Sequence, residues 1–324
     1  MSAALTPSPT ALAISGGDTL SAEALDYARE ASAANTRRAY RAAWQDFTAW
    51  CEAAGRPPLP ASPETVGTFL ATRAASHKAA SLNLRLVAIR QAHRLAGHRL
   101  EVDHPAIRET MKGIRRTHGT AVAKKEAAVS ATIRDAVDRL TQVPGLRALR
   151  DRALLLVGFA AALRRSELVA LDVEDLRFVP EGVVLTLRRA KTDQEGAGAE
   201  IAIPHGAAAR TCPVAALEAW IGAAAIEAGA VFVSVNRHGR ASTTRLSDRD
   251  VARVVKAAVG AAGYRAADFA GHSLRSGFIT SAARAGVPER HIQNQSRHKS
   301  LPVLRGYIRR GSLFVDNAAE RVGL

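Results

Sequence analysis

A chain of 324 residues is long enough for two domains, and a hydrophobic share of 47% is that of a folded protein, which excludes global disorder. A formal net charge of +15 points to a polyanionic partner, either nucleic acid or an anionic membrane surface. No run of about 18 uncharged apolar residues occurs, so no transmembrane helix is expected, and Cys51 and Cys212, far apart and in no metal-ligand spacing, fit a reducing compartment with no disulfide framework.

Residues 1–20 are rich in Ser, Thr, Pro, Ala and Gly, contain no Lys or Arg, and are expected to be a disordered tail without the basic start of a secretory signal. Ser21 is placed to cap a helix running to about Ala34, with Glu23 in its first turn. Tyr40, Trp44, Phe47 and Trp50 then recur at spacings of four, three and three, which predicts a helix over Thr36 to Ala54 with an aromatic stripe in the core. Cys51 continues that face as a small core residue. Gly55 ends the helix, and the Pro-rich run Arg56 to Pro60 reads as a loop.

Ser62-Pro63-Glu64 supplies a cap, an N1 proline and a first-turn acid for a helix to about Ala75. Ser81 to about Leu95 reads as another, with Leu82, Leu86 and Ile89 inside and Arg85, Arg90 and Arg94 outside. A further helix, Pro105 to Arg116, sets Ile107, Met111 and Ile114 against Arg108, Lys112, Arg115 and Arg116. Residues 21–118 therefore read as an all-helical domain whose basic faces suit a DNA groove or its phosphates. Residues 119–129, with Lys124 and Lys125, read as a linker crossing a phosphate backbone.

In the second half, Ser130 is placed to cap a helix through Leu140, and Arg147 to Ala162 is apolar and helical. It leads into Leu163-Arg164-Arg165-Ser166-Glu167-Leu168. Leu176 to Val179, Val183 to Leu187 and Glu200 to Pro204 read as strands of a small antiparallel sheet, with a hairpin turn at Glu181-Gly182. Lys191 lies between the last two. Helices are expected over Pro213 to Ala228, Ser247 to Ala262, His272 to Ala285 and Pro288 to Gln295. A last helix from about Leu301 carries Tyr307, and Leu313, Phe314, Val322 and Leu324 lie on an amphipathic end segment. The fold class is thus mainly α, with a helical N-terminal domain and an α+β domain over 130–324.

The residues Leu163-Arg164-Arg165-Ser166-Glu167-Leu168 resemble the first arginine box of the tyrosine recombinase (phage integrase) family. His272-Ser273-Leu274-Arg275 resembles its His-x-x-Arg box. His298, nine residues before Tyr307, sits where that family keeps a second histidine, and Val303-Leu304-Arg305-Gly306-Tyr307-Ile308 is similar to its nucleophile segment. Lys191 falls in a predicted hairpin, as the family's lysine does. With the helical first domain, which is similar to the core-binding domain of Cre and Xer members, the resemblance spans roughly residues 21–324. It implies a site-specific recombinase that passes through a 3′-phosphotyrosine and a Holliday junction. It also implies a synaptic tetramer on two DNA sites, joined by exchange of the C-terminal helix, and a cytoplasmic, nucleoid-associated enzyme.

The residues fit that chemistry on their own terms. An enzyme that cuts DNA without metal must supply positive charge from side chains. Arg164 and Arg275 can hold a phosphate bidentately, and His272 and His298 can bond its oxygens, one of them taking the tyrosine proton. Tyr307 attacks, and Lys191 protonates the leaving 5′-oxygen; by resemblance, Glu167 orients the first arginine. No cofactor, metal or ATP is expected, and the chain has no phosphate-binding Gly-x-x-x-x-Gly-Lys-[Ser/Thr] loop. A type IB topoisomerase shares this chemistry, and an inactive architectural protein would share the fold. Ala162 stands where many family members have glycine, and Ser296-Arg297 where a Leu-Gly pair is common; Arg297 either adds a cation beside the phosphate or displaces His298.

Overall fold

The computed structural model describes residues 34–120, 125–188, 198–311 and residue 322. The expectations for the tail and first helix, for Lys124 and Lys191, and for all of the end segment but Val322, fall outside the described residues. The chain divides between residues 123 and 124 into two compact units.

Among the described residues, the first unit holds four helices: α1 (Ala34–Ala53), α2 (Pro63–Arg73), α3 (Ala79–Leu95) and α4 (Pro105–His118). Helix α1 packs on α3, and α2 on α4. Phe47, Phe69, Leu70, Leu82, Ile89, Ile107 and Met111 form the buried centre, with Cys51 among them and Trp44 and Trp50 packed at its edge. The local signals act as read. Ser62 accepts the Thr65 N–H and Pro63 opens α2. At the end of α1, Gly55 (φ 61) reverses the chain, so that the Arg56 N–H reaches the Cys51 carbonyl at 2.9 Å.

Arg85 departs from its expected outward place. Its Nε donates to Asp46 at 2.8 Å, its side chain is only 16% exposed, and Arg73 shares the same carboxylate. Asp46 sits in the angle between helices, and a half-buried carboxylate there draws cations inward. The other expected cations of this unit, Arg90, Arg94, Arg108, Lys112, Arg115 and Arg116, are exposed. Arg90 and Arg94 line a cleft of about 590 Å³ together with Arg99 and His104.

The second unit holds α5 (Ser130–Thr141), α6 (Leu146–Ala160), α7 (Arg165–Ala170), β1 (Leu176–Val179), β2 (Gly182–Leu187), β3 (Ala199–Pro204) and α8 (Pro213–Ala223). It continues with β4 (Val233–Val235), β5 (Ala241–Arg245), α9 (Asp248–Ala261), α10 (Ser273–Arg284), α11 (Glu289–Ser296) and α12 (Leu301–Gly311). Strands β1-β2-β3 form an antiparallel sheet with Val183 opposite Ile203 and Leu185 opposite Ile201. These side chains join Leu154, Leu155, Trp220, Phe232 and Val255 in the main core. A separate small cluster, Ile279, Ala283, Ile292 and Leu304, binds α10, α11 and α12 to one another.

Several boundaries differ from expectation. Ser130 is not a cap: Val129 precedes α5, and the Ser130 N–H donates to Ser281 Oγ at 2.9 Å. Helix α8 stops at Ala223 because Ala225 is left-handed (φ 49). The β4–β5 pair and the six-residue α7 were not anticipated. Of the expected linker, residues 125–129 are tied to the second unit. The Glu126 N–H donates to Asp268 O at 2.7 Å, the Ala128 N–H to Ser273 O at 2.9 Å, and Lys125 Nζ to Ala267 O at 2.6 Å.

This strap lies against α10 at Gly277, where an added Cβ would stand 1.9 Å from the Ala128 carbonyl oxygen. Backbone fills the space, so the strap or the helix would have to move. Gly277→Ala should lower unfolding stability by about 1–3 kcal/mol or more, read by denaturant titration; an unchanged midpoint would show that the strap is not held there.

Candidate active site

Arg164 caps α7 at its start, and its position is fixed by Glu167 one turn on. The Arg164 backbone N–H donates to Glu167 Oε2 at 2.9 Å, and its guanidinium donates to Oε1 at 2.5 Å. Arg165 points elsewhere, half exposed and paired with Asp248 at 3.1 Å. The first of the two arginines is therefore the one turned into the site. Glu167 is 3% exposed. Burial alone would push its carboxyl up, but the Arg164 N–H and the Arg297 and Arg164 guanidinium groups hold it below the usual carboxylate range.

Arg275 is almost wholly buried, on the first turn of α10. Its guanidinium donates to the Ala162 carbonyl at 2.6 Å and to His298 Nδ1 at 3.2 Å. Ala162 is held left-handed (φ 47) after the end of α6, and that turn aims its carbonyl at Arg275. Close approach of α6, α7 and α10 makes the meeting possible: a Cβ on Gly158 would stand 2.8 Å from Leu274 and 2.9 Å from Leu168. Burial, then the charges of Arg164 and Arg297, pull the Arg275 guanidinium down to about 9, as expected of a cation crowded by cations. It is still charged at neutral pH.

His298 follows α11. Its Nδ1 faces the Arg275 guanidinium at 3.2 Å and Ser296 Oγ at 2.8 Å. Arginine has no acceptor, so Nδ1 must carry the lone pair and the ring proton must sit on Nε2. Burial and the nearby Arg275 and Arg164 hold this imidazole down at about 4, so it is neutral at physiological pH. The outward nitrogen is then an N–H donor.

Tyr307 lies on α12, half-buried, with Leu304 anchoring the helix to α10 and α11. Its hydroxyl is 3.5 Å from His272 Nε2, a long hydrogen bond, and its ring centroid is 6.1 Å from that of His298. His272 is the residue before α10 rather than part of its first turn, and is exposed where Arg275 is buried. A helix that began at His272 would have put both on one face; instead His272 comes from the turn before α10 and Arg275 from its first turn.

The structure thus gathers Arg164, Glu167, His272, Arg275, His298 and Tyr307, which sequence reading had joined from four separate segments. Arg297 does not displace His298: it turns back to Glu167 Oε2 at 2.8 Å, a partnership the sequence could not show across 130 positions. Gln295 was also missed; its side-chain amide donates to Ala160 O at 2.9 Å and Ala202 O at 3.2 Å, hanging α11 on α6 and β3. Among the described residues no group of three or more His, Cys, Asp or Glu could hold a metal ion, and no helix is long and apolar enough to cross a membrane. Chemically, the site is a cluster of cations with a tyrosine hydroxyl beside it, an arrangement able to hold an anion. Three guanidinium charges (Arg164, Arg275, Arg297) against one carboxylate leave an excess of two positive charges.

Comparison with known proteins gives the family and the fold. Residues 131–311 match the phage integrase family, and residues 23–99 match the phage integrase N-terminal SAM-like domain. An integrase/recombinase xerD homolog of Selenomonas ruminantium is 40% identical over 313 residues, covering 95% of this chain and 91% of its own. Among solved structures, XerH recombinase in a post-cleavage complex with difH DNA is similar with a TM-score of 0.59 at 16% identity, over 81% of this chain and 72% of that one. A lambda integrase dimer bound to a COC′ core site gives 0.59 at 17% identity, over 87% and 91%. At these identities the two structures speak for the fold.

The depressed pKa of His298 has a stability consequence. Unfolded, the ring titrates near 6.5; folded, near 4. Between those values the unfolded state binds more protons, so stability falls as pH drops through this window. Wild type should therefore lose stability more steeply from pH 6.5 to 4.5 than His298→Asn, measured by unfolding at each pH; parallel curves would mean His298 is not held neutral.

Proposed function

The chain belongs to the phage integrase (tyrosine recombinase) family and is a site-specific DNA recombinase; on that premise we propose how its own residues carry out the reaction. One observation carries the reading: the Tyr307 hydroxyl lies 3.5 Å from His272 Nε2, beside the His298 ring and within reach of the charge on Arg275, which Arg164 in turn adjoins. Arg164 and Arg275 hold the non-bridging oxygens of the scissile phosphate. Arg275 is pinned through one guanidinium nitrogen to Ala162 and through another to His298, so it is oriented before DNA arrives. Such pre-set charge is what stabilises a phosphoryl-transfer transition state, where negative charge builds on those oxygens.

The two histidines divide the work. His298, neutral with its proton on Nε2, donates a hydrogen bond to a phosphate oxygen. His272, whose Nε2 faces the phenol, takes the Tyr307 proton. The phenolate oxygen bonds to phosphorus as the bond to the 5′-oxygen breaks, and Lys191 supplies the proton that oxygen needs. The product is a 3′-phosphotyrosyl ester and a free 5′-hydroxyl. Attack by the 5′-hydroxyl of a partner strand reverses the step, regenerates Tyr307 and joins the exchanged strands. One ester replaces another, so the phosphodiester energy is kept and no nucleotide is consumed.

Substrate binding falls to the basic faces as well. Arg90, Arg94, Arg108, Lys112, Arg115 and Arg116 are exposed and suited to phosphates of the duplex. Arg108 and Lys112 are partly offset by Glu109, at 2.9 and 3.5 Å. Arg85 and Lys125 are engaged within the protein and are not part of this proposal. Four copies acting on two sites, each reaching a neighbour through its apolar end segment, complete the reading. The enzyme then works wherever its DNA lies, in the cytoplasm of the cell.

The test is a DNA site nicked near the cleavage point, which loses its 5′-hydroxyl fragment and traps the covalent complex. Wild type should give a protein–DNA adduct stable to denaturant, Tyr307→Phe none, and Arg164→Ala an adduct formed about 100- to 1,000-fold more slowly. Tight, specific binding without adduct would favour the architectural alternative. Relaxation of supercoils without a specific site would favour the topoisomerase.

A further inference from the structure

Arg297 is the residue of the site that the reaction described above leaves without a task. It occupies the turn after α11 in the left-handed region (φ 54, ψ 45), where a side chain other than glycine costs about 1–2 kcal/mol. Its side chain is folded inward at 13% exposure. The guanidinium reaches Glu167 Oε2 at 2.8 Å and the carbonyls of Ala161 and Gln295 at 3.3 and 3.2 Å, while its buried Nε has no partner. A strained backbone, a buried cation and an unsatisfied donor are three costs at one position. They persist where the surroundings fix them and a function uses them.

We propose that Arg297 is a positioning residue for DNA cleavage: it holds the second oxygen of Glu167, and through it fixes the guanidinium of Arg164 against the scissile phosphate. The inference rests on the catalytic reading of Arg164 and Tyr307. Glu167 Oε2 is shared between the Arg164 backbone N–H and Arg297, while Oε1 takes the Arg164 side chain. With Oε2 occupied, the carboxylate cannot rotate to draw the Arg164 guanidinium inward as a two-point pair. The remaining N–H groups of Arg164 stay available to an anion. Arg297 also completes the excess of positive charge, which suits a transition state carrying more negative charge than the ground-state phosphodiester. The same charge helps hold His298 neutral.

The experiment compares full-length wild type with Arg297→Gly, Arg297→Asn and Arg297→Lys on the nicked site. Glycine and asparagine both tolerate the left-handed turn, so at least one should fold, which DNA-binding affinity checks. Single-turnover adduct formation should fall on the order of 10- to 100-fold in the Gly and Asn variants, with DNA affinity within about threefold. Lysine, which keeps the charge but lacks the second nitrogen that donates to Ala161 and Gln295, should recover part of the rate. The acid limb of the cleavage pH profile should move to higher pH in the Gly and Asn variants, as His298 regains affinity for a proton. Cleavage at the wild-type rate in either folded variant, or a fall in cleavage that matches a fall in affinity, would overturn the proposal. Absence of any adduct with wild type would instead remove the catalytic reading beneath it.

Discussion

Like charges do not gather in a protein interior without something to hold them, and the second unit is built around that difficulty. Arg164 and Arg297 lie close enough to Arg275 to disfavour its charge, and Arg164 does the same to Arg297, with one buried carboxylate, Glu167, between Arg164 and Arg297. Breaking a buried pair of this kind costs about 3–5 kcal/mol, because it leaves an uncompensated charge. The fold therefore holds these cations by Glu167 and by the carbonyls of Ala161, Ala162 and Gln295. On the function proposed above, the phosphate of the DNA supplies the balancing negative charge, the more so as charge builds on its oxygens in the transition state.

Local backbone devices make the crowding possible. Among the described residues other than glycine, Ala162, Ala225 and Arg297 have positive φ, and two of these three belong to the site. Ala162 turns the chain at the end of α6 so that a carbonyl meets Arg275; Arg297 turns it at the end of α11 so that a guanidinium meets Glu167. Both are positions where resemblance to the family led one to look for glycine. Their side chains give up glycine's freedom, and in the case of Arg297 a new cation is gained. The helix carrying Tyr307 is held to α10 and α11 by Leu304 and its apolar neighbours, and Arg305 on the same helix pairs with Glu289 of α11 at 3.0 Å.

Much of this was legible in the sequence because the signals were local. Ser62-Pro63 and Gly55 act over one turn, and Phe47, Ile107 and Met111 repeat at helical spacing, so their elements and burial follow directly. The order Arg164, His272, Arg275, His298, Tyr307 was legible for a different reason: the segments that carry these residues resemble the boxes of the tyrosine recombinase family. What escaped were partnerships across distance and elements too short to show a period. Arg85 reads as solvent-facing until Asp46, 39 positions away, turns it inward. Arg297 reads as a threat to His298 until Glu167, 130 positions away, claims it. The strand Ala241–Arg245 has no buried residue and no apolar alternation, and α7 spans less than two turns, so neither leaves a pattern.

The central claim is that guanidinium charge, held in place before DNA arrives, offsets the negative charge that develops on the scissile phosphate. It is tested most directly with a DNA site in which one non-bridging oxygen of that phosphate is replaced by an uncharged methyl group. Arg275→Ala, disabled on the natural diester, should cleave this neutral linkage faster than it cleaves the diester, because the charge that Arg275 balances is gone. Equal, slow cleavage of both linkages by the variant would contradict the account.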